Sequence, residues 1–355
     1  MTNVKSILLV VVASWMLSAA ELSHGRYAAI MIDAENGSVL HEVNATQSWY
    51  PASLTKLMTL YVTFNALKSG QIHFFDPMRT SGHAARQPNS KLGLRTGEYL
   101  TVRDAILALI TRSANDAAVV LAEHMGGSEQ NFAVTMTKMA RALGMYNTRF
   151  MNATGLPNEW QVTTPRDMAV LAWHIQRRYP EYYRFFSATE FNFKGTELRG
   201  INKFVAHYPG AEGMKTGFTC GSGYNLIASA LQNGKRLIGV VMGGMSSAER
   251  YQLMYSMMDA GFDNRFDDQG KYIHTMPAGF PGTPPYQLSC GNRSSFHQVS
   301  SAKHTGLSSS KKKLVKHPTR VHKSKSLHKT SKSRHKKPIS RIKPIKHSKT
   351  ARNKK

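Results

Sequence analysis

Ser53 and Lys56 stand three residues apart in the stretch Pro51-Ala-Ser-Leu-Thr-Lys-Leu-Met58. On a helix that spacing puts a hydroxyl and an amine on one face, within reach of each other. Serine is a poor nucleophile until a neighbouring base takes its proton, and a neutral lysine can do so. A helix opening at Ser53 would add its positive dipole end to a developing oxyanion. An exposed lysine on an ordinary core helix meets the same spacing, and about one Ser-x-x-Lys arises by chance in a chain of this length. A second group, Gly213-Met-Lys-Thr-Gly-Phe218, leads into a strand. Lys215, Thr216 and Gly217 there supply an ammonium, a hydroxyl and a compact backbone along one edge. Such an edge can hold an extended peptide by main-chain hydrogen bonds and its carboxylate by charge and hydroxyl. The plain alternative is an exposed turn ahead of a strand. A third group, Ser113-Ala-Asn-Asp116, separates two apolar segments. As a turn it is Ser, Asn and Asp in their usual place. As a site it aims a second serine and the amide of Asn115 into a cleft.

The elements that must position these groups can be read from periodicity. Leu57, Leu60, Tyr61 and Phe64 recur at helical spacing after Lys56, and Gly70 is a C-terminal cap. Ahead of them, Tyr27 to Asp33 is an apolar strand, Asn36-Gly37 a hairpin turn, and Ser38 to Glu42 the return strand. Residues 71–100 are turn-rich, with no assignable chemistry. Thr101-Val-Arg-Asp104 is a capping box ahead of Ala105–Ile110, and a second helix runs from Ala117 to the Gly126-Gly127 stop. Residues 131–186 read as helical, broken at Asn152–Pro157 and capped again near Thr164–Asp167. Met136, Met139 and Met145 in that stretch read as core filler. Tyr224–Leu231, Asn233-Gly234 and Arg236–Met242 form a second hairpin, and Ser247–Met258 is a closing helix. Strands at both ends with helices between imply an α+β fold whose N- and C-terminal strands share one antiparallel sheet.

The chain has 355 residues and a formal net charge of +26. Residues 301–355 hold 20 of the 47 basic residues and no acidic one, so residues 1–300 carry 27 basic against 21 acidic. The extreme charge belongs to a Lys/Ser/His tail that cannot bury enough surface to fold and reads as disordered. Its six histidines lack compact ligand spacing, so no metal site is expected. Such a tail suits polyanions, either an anionic membrane or an acidic envelope polymer, and no specific nucleic acid. At the other end, Lys5, the apolar run Ile7–Leu17 and Ser18-Ala-Ala20 form a secretory signal too short to span a bilayer. The expected organisation is a signal at 1–20, a folded domain at 21–275, a Pro-rich linker at 276–300 and the tail at 301–355. In an exported chain, two cysteines permit a disulfide between Cys220 and Cys290.

Taken together, Ser53-x-x-Lys56, Ser113-x-Asn115 and Lys215-Thr216-Gly217, in that order, resemble the signature of penicillin-binding proteins and serine β-lactamases. Pro51–Met58, Ser113–Ala118, Asn152–Pro157 and Lys215–Thr219 look like the low-molecular-weight serine D-Ala-D-Ala carboxypeptidases, and the likeness covers residues 25–265. The resemblance implies a β-lactamase/transpeptidase-like fold, with a helical subdomain against the sheet. It implies Ser53 as acylated nucleophile, Lys56 as its base, and Ser113 as proton relay to the leaving amine. Asn115 would hold the substrate amide, and the N–H groups of Ser53 and Phe218 would form the oxyanion hole. Lys215 would lower the pKa of Lys56, while Thr216 and Arg250 would receive the terminal carboxylate.

The substrate implied is the peptidoglycan pentapeptide, with β-lactams as covalent inhibitors, no cofactor, and a periplasmic or envelope-peripheral location. A D,D-endopeptidase acting on cross-links and a non-catalytic envelope-binding protein tethered by its tail remain the alternatives. Two departures stand out. The Glu-x-x-x-Asn element that activates the deacylating water in class A β-lactamases is missing between Asn115 and Lys215, so long-lived acylation by β-lactams is expected. The family's C-terminal β domain and amphipathic helix have no recognisable counterpart.

Overall fold

Five strands carry the architecture. In the computed structural model, which describes residues 27–267 and 270–285, β1 (Ala28–Asp33) and β2 (Val39–Val43) form the N-terminal hairpin. β7 (Ala211–Thr219), β8 (Gly223–Gln232) and β9 (Lys235–Gly244) form a meander late in the chain. They join in one sheet of order β2-β1-β9-β8-β7, antiparallel at every pairing. The expected sharing of one sheet by the two ends of the domain is therefore observed, and β7 is left as an edge.

Period-2 alternation divides the sheet's side chains between two cores. Ile30, Ile32, Ile227, Ile238, Val240 and Met242 face the large helical core. Ala29, Met31, Leu226, Ala228, Leu237 and Val241 face the other way, against Tyr251, Met254 and Met258 of the closing helix, Ser247–Phe262. Both faces are covered, which is why β8 and β9 read as almost continuous apolar runs.

The helical side begins with a 3₁₀ turn at Ala52–Thr55 that runs directly into α1 (Lys56–Lys68). Leu57, Leu60, Tyr61 and Phe64 are buried as their spacing requires. Full burial of such side chains contributes roughly 1.5–3 kcal/mol apiece. α1 ends in a Schellman motif: Gly70, at φ +73°, donates to Leu67 O, and Gln71 donates to Ala66 O. Two short strands, β3 (Pro77–Arg79) and β4 (Tyr99–Thr101), flank α2 (Gly82–Ala85). Thr101 accepts from the Asp104 N–H and caps α3 (Val102–Leu107). The expected helix continues from there as a widened π turn, Ala108–Arg112, ending at Ser113 in the left-handed region. Next come α4 (Asn115–Gly126), α5 (Glu129–Ala142) and α6 (Pro165–Arg178), the last capped by Thr164. Met136 and Met145 are buried in the core and Met139 packs on its margin, as expected of filler.

Three differences from the sequence reading matter. The break between α5 and α6 runs from 143 to 164, far wider than Asn152–Pro157. Asn152 and Gln161 account for it: their side chains take the N–H groups of residues 151, 152, 154 and 155 and hold an irregular path. After α7 (Pro180–Tyr183), an unanticipated hairpin appears, made of β5 (Glu190–Phe193) and β6 (Thr196–Arg199). It is followed by α8 (Lys203–His207), and Ser247–Phe262 is α9. Finally, residues 276–283 of the expected linker are bonded to the domain: Ser48 donates to Pro281 O, Gln47 to Thr283 O, and Asn147 to Ala278 O. The signal at 1–20, the tail at 301–355 and Cys290 lie outside the described residues. Cys220 is disulfide-bonded.

Candidate active site

The 3₁₀ turn holding Ser53 is clamped from two sides. Asn225 on β8 donates through Nδ2 to Tyr50 O and Pro51 O at 3.0 and 3.2 Å, and its Oδ1 receives the Gly243 N–H. On the other side Gly155, at φ +86°, lies so close that a Cβ there would sit 1.9 Å from Ala52 O. Only glycine fits that position. Ala52 itself adopts φ +48°, an uncommon and strained conformation for a residue with a side chain, immediately before the candidate nucleophile.

Lys56 is fully buried and three groups surround its amine. Nζ lies 3.0 Å from Ser53 Oγ, 2.8 Å from Asn115 Oδ1 and 2.5 Å from Thr154 O. Three partners satisfy three ammonium protons. They equally satisfy a neutral amine with two N–H donors and one lone pair, the lone pair then facing the Ser53 hydroxyl. Burial pushes the Lys56 pKa well below the usual lysine value, and the Lys215 cation pushes it further, against the opposing pull of Asp116 and Glu129.

Lys215, Thr216 and Gly217 lie within β7, the edge strand itself, and not in a turn ahead of it. Lys215 is almost fully buried, so its charge marked no solvent-facing turn. Strand alternation puts Lys215 and Gly217 on one face. The Gly217 backbone passes so near the 3₁₀ turn that a Cβ on it would be 3.1 Å from both Ser53 N and Pro51 O. Burial first, and Arg250 second, lower the Lys215 pKa to about 7. Lys215 Nζ donates to Thr216 O at 2.8 Å. Thr216 is buried, whereas Phe218 at the end of the strand is half-exposed and stacks on Tyr224 with ring centroids 4.2 Å apart. Arg250, on α9, reaches Gly217 O and Asn225 O, each at 3.3 Å, and has a cation–π contact with Tyr224. Its buried Nε has no partner among the described residues.

Asn115 and Ser113 come from the third group. Asn115 begins α4; its N–H donates to Ser90 O at 2.7 Å and its Nδ2 to Pro88 O at 2.9 Å. Among the described residues the second Nδ2 proton has no acceptor. Ser113, at φ +56° and ψ +35°, is buried and precedes Asn115 by two residues. The sequence reading missed the segment 88–94 that closes over this corner. Asp116, fully buried, holds it by accepting the N–H groups of Leu92, Gly93 and Leu94 at 2.8–3.1 Å. Thr154 was also missed as a contact of Lys56, because it acts through its carbonyl and any residue type can supply that.

A hydroxyl touching a buried lysine, with a second buried lysine on the adjoining sheet edge, is a geometry that can activate a serine as a nucleophile. A family model described as D-alanyl-D-alanine carboxypeptidase matches residues 16–246. The chain belongs to the D-alanyl-D-alanine carboxypeptidase family.

Among relatives of this family, the D-alanyl-D-alanine carboxypeptidase DacF of Bacillus subtilis is 36% identical over 252 residues, which is 68% of this chain and 64% of that protein. Penicillin binding protein 5 from Haemophilus influenzae is similar in structure, with a TM-score of 0.64 and 37% identity over 66% of this chain and 70% of the other. Penicillin-Binding Protein D2 from Listeria monocytogenes, solved in a cefotaxime-bound form, gives a TM-score of 0.61 at 31% identity, covering 66% of this chain and 96% of that one. The chain spans less than two thirds of the length of the first curated carboxypeptidases it matches.

The buried cation at 215 has a consequence for stability. Its folded pKa, about 7, lies below the usual lysine value of 10.5. Between those values the unfolded chain binds a proton that the folded chain does not, so stability rises with pH across that window. Lys215→Met is therefore expected to raise the unfolding midpoint at pH 7 by several degrees, with the gap to wild type narrowing by pH 9.5. Thermal unfolding at the two pH values checks this, and a pH-independent gap would contradict it.

Proposed function

We propose that this chain is a serine-type D-Ala-D-Ala carboxypeptidase that removes the terminal D-alanine from peptidoglycan stem peptides through an acyl-enzyme on Ser53. The observation that carries this reading is the Lys56 amine, buried and depressed in pKa, 3.0 Å from Ser53 Oγ. Neutral Lys56 takes the hydroxyl proton as Oγ attacks the carbonyl between the two D-alanines. The oxyanion gathers at the N–H groups of Ser53 and Phe218, where β7 passes the nucleophile. Collapse breaks the C–N bond, and Ser113 relays a proton to the departing amine of D-alanine. Water then cleaves the ester, returning the hydroxyl to Ser53 and releasing the shortened peptide as its acid. Thr216 and Arg250 receive the terminal carboxylate, and the free Nδ2 proton of Asn115 meets the substrate amide. No step in this scheme calls on a cofactor. β-Lactams acylate the same serine in this reading, and the cefotaxime-bound Listeria relative supports it.

The test is D-alanine release from a soluble acyl-D-Ala-D-Ala peptide, run beside a cross-linked peptide dimer. Release from the first is expected. Cleavage confined to the dimer would overturn this reading in favour of an endopeptidase.

The reading extends to export by residues 1–20, a periplasmic or envelope-peripheral location, and residues 301–355 as a polycationic tether to an anionic membrane or envelope polymer. Composition alone supports this part. Deleting residues 291–355 is expected to leave turnover of soluble peptide unchanged while abolishing sedimentation with envelope fragments at low salt. A matching fall in turnover would contradict the separation of the two functions.

A further inference from the structure

Glu129 is a buried carboxylate that the scheme above does not use. It is the first residue of α5, behind the cap Ser128. Its Oε1 accepts the Ala153 N–H at 3.0 Å, and its Oε2 lies 2.7 Å from His83 Nε2 on α2. The same two-residue stretch is held from α1 through its carbonyls: Thr59 Oγ1 donates to Ala153 O at 2.8 Å and Lys56 Nζ to Thr154 O at 2.5 Å. A continuous chain of contacts thus runs from half-exposed His83, through Glu129 and the 153–154 backbone, to the amine beside Ser53.

Charge follows the same route. Lys56 faces Lys215 from β7, Asp116 from α4 and Glu129 from α5, and the two carboxylates favour its ammonium form. Arg250 from α9 acts on Lys215. Glu129 in turn faces His83, which has Gln87 beside it at 3.4 Å, while the neighbouring Glu123 of α4 is engaged by Ser81. Asp116 spends its oxygens on four N–H groups, three of the 92–94 segment and that of Ala117, so its place in the site is fixed by that segment and its own helix. Glu129 is the carboxylate tied to the backbone that Lys56 itself touches.

We propose that Glu129 is a positioning residue for Lys56, holding the Thr154 carbonyl against the amine and setting the field in which the amine works. The inference rests on the reading of Lys56 as the base. It separates into two parts that two substitutions distinguish. Glu129→Gln keeps an oxygen for the Ala153 N–H and a polar group for His83 but removes the charge. Glu129→Ala removes both, leaving a buried N–H without its acceptor.

The experiment follows the ε-carbon resonance of Lys56 across pH in protein labelled with [¹³C]lysine, assigned by its loss in Lys56→Ala. The rate of acylation by a fluorescent penicillin is measured over the same range. Removing an anion destabilises the ammonium, so in Glu129→Gln the Lys56 titration and the acid limb of acylation are both expected to move down by about one pH unit. Glu129→Ala is expected to show the same displacement and to be acylated about tenfold more slowly at its optimum. An unmoved Lys56 titration in folded Glu129→Gln would overturn the proposal and leave Glu129 a structural staple. A wild-type acid limb that fails to follow the Lys56 titration would instead overturn the base assignment on which the proposal rests.

Discussion

Ser53→Ala is expected to lower D-alanine release from an acyl-D-Ala-D-Ala peptide by about 10,000-fold or more, because loss of a covalent nucleophile removes the whole acyl-enzyme route. The fold should tolerate the change. Among the described residues the hydroxyl has one hydrogen-bond partner, Lys56 Nζ, and that amine keeps Asn115 and Thr154. The stability change is expected to stay within about 1 kcal/mol, the usual net worth of one hydrogen bond. Equal unfolding midpoints with lost turnover would place the defect in chemistry. Turnover within tenfold of wild type would mean that another group attacks, and Ser113, in its strained conformation two residues before Asn115, would be the first to examine.

Lys56→Ala is expected to slow acylation by about 1,000-fold, within the range that a positioned general base supplies. Lys56 offers what no other group near Ser53 does. Its amine is fully buried, with burial and Lys215 both working against its charge. Lys215 has the same chemistry, but its amine donates to the Thr216 carbonyl and not to Ser53. A small primary amine such as methylamine, admitted to the space left by the side chain, is expected to restore part of the lost rate in proportion to its unprotonated fraction. Stopped-flow acylation with and without amine reads this directly. A Lys56→Ala protein acylated at near wild-type rate would remove Lys56 from the mechanism.

The candidate reacting groups were legible because the chemistry they could do is carried by residue type and short spacing. Ser53 and Lys56 needed only a helical turn to meet, and Asn115 could be singled out as an amide between two apolar runs. The sheet was legible for a related reason, since Asn36-Gly37 and Asn233-Gly234 mark hairpin turns between apolar strands. What escaped depends on tertiary context. Lys215 was legible as a group along a strand edge, but its burial was not, because a lysine is seldom buried and only the fold provides the cleft that buries it. The 88–94 segment carries its contacts on backbone carbonyls and N–H groups, which no residue type announces. Glu129 occupies an ordinary first-turn position, where an acid complements a helix dipole, and no residue next to it in sequence marks it as part of a site. Its reach to Ala153 spans 24 positions of sequence and follows from how α5 packs beside α1. The β5–β6 hairpin is short: Glu-Phe-Asn-Phe alternates over only four residues, and its partner Thr-Glu-Leu-Arg is largely exposed, so it lacks the long apolar strands of the other two.

Acylation of Ser53 is read from the intact mass of the protein after mixing with benzylpenicillin. A single adduct of one penicilloyl unit is expected, mapped by peptide digestion to Ser53 and missing from Ser53→Ala. It should persist well after free drug is removed, since no Glu-x-x-x-Asn element lies between Asn115 and Lys215. An adduct on another residue, or none on protein shown to be folded, would contradict the account.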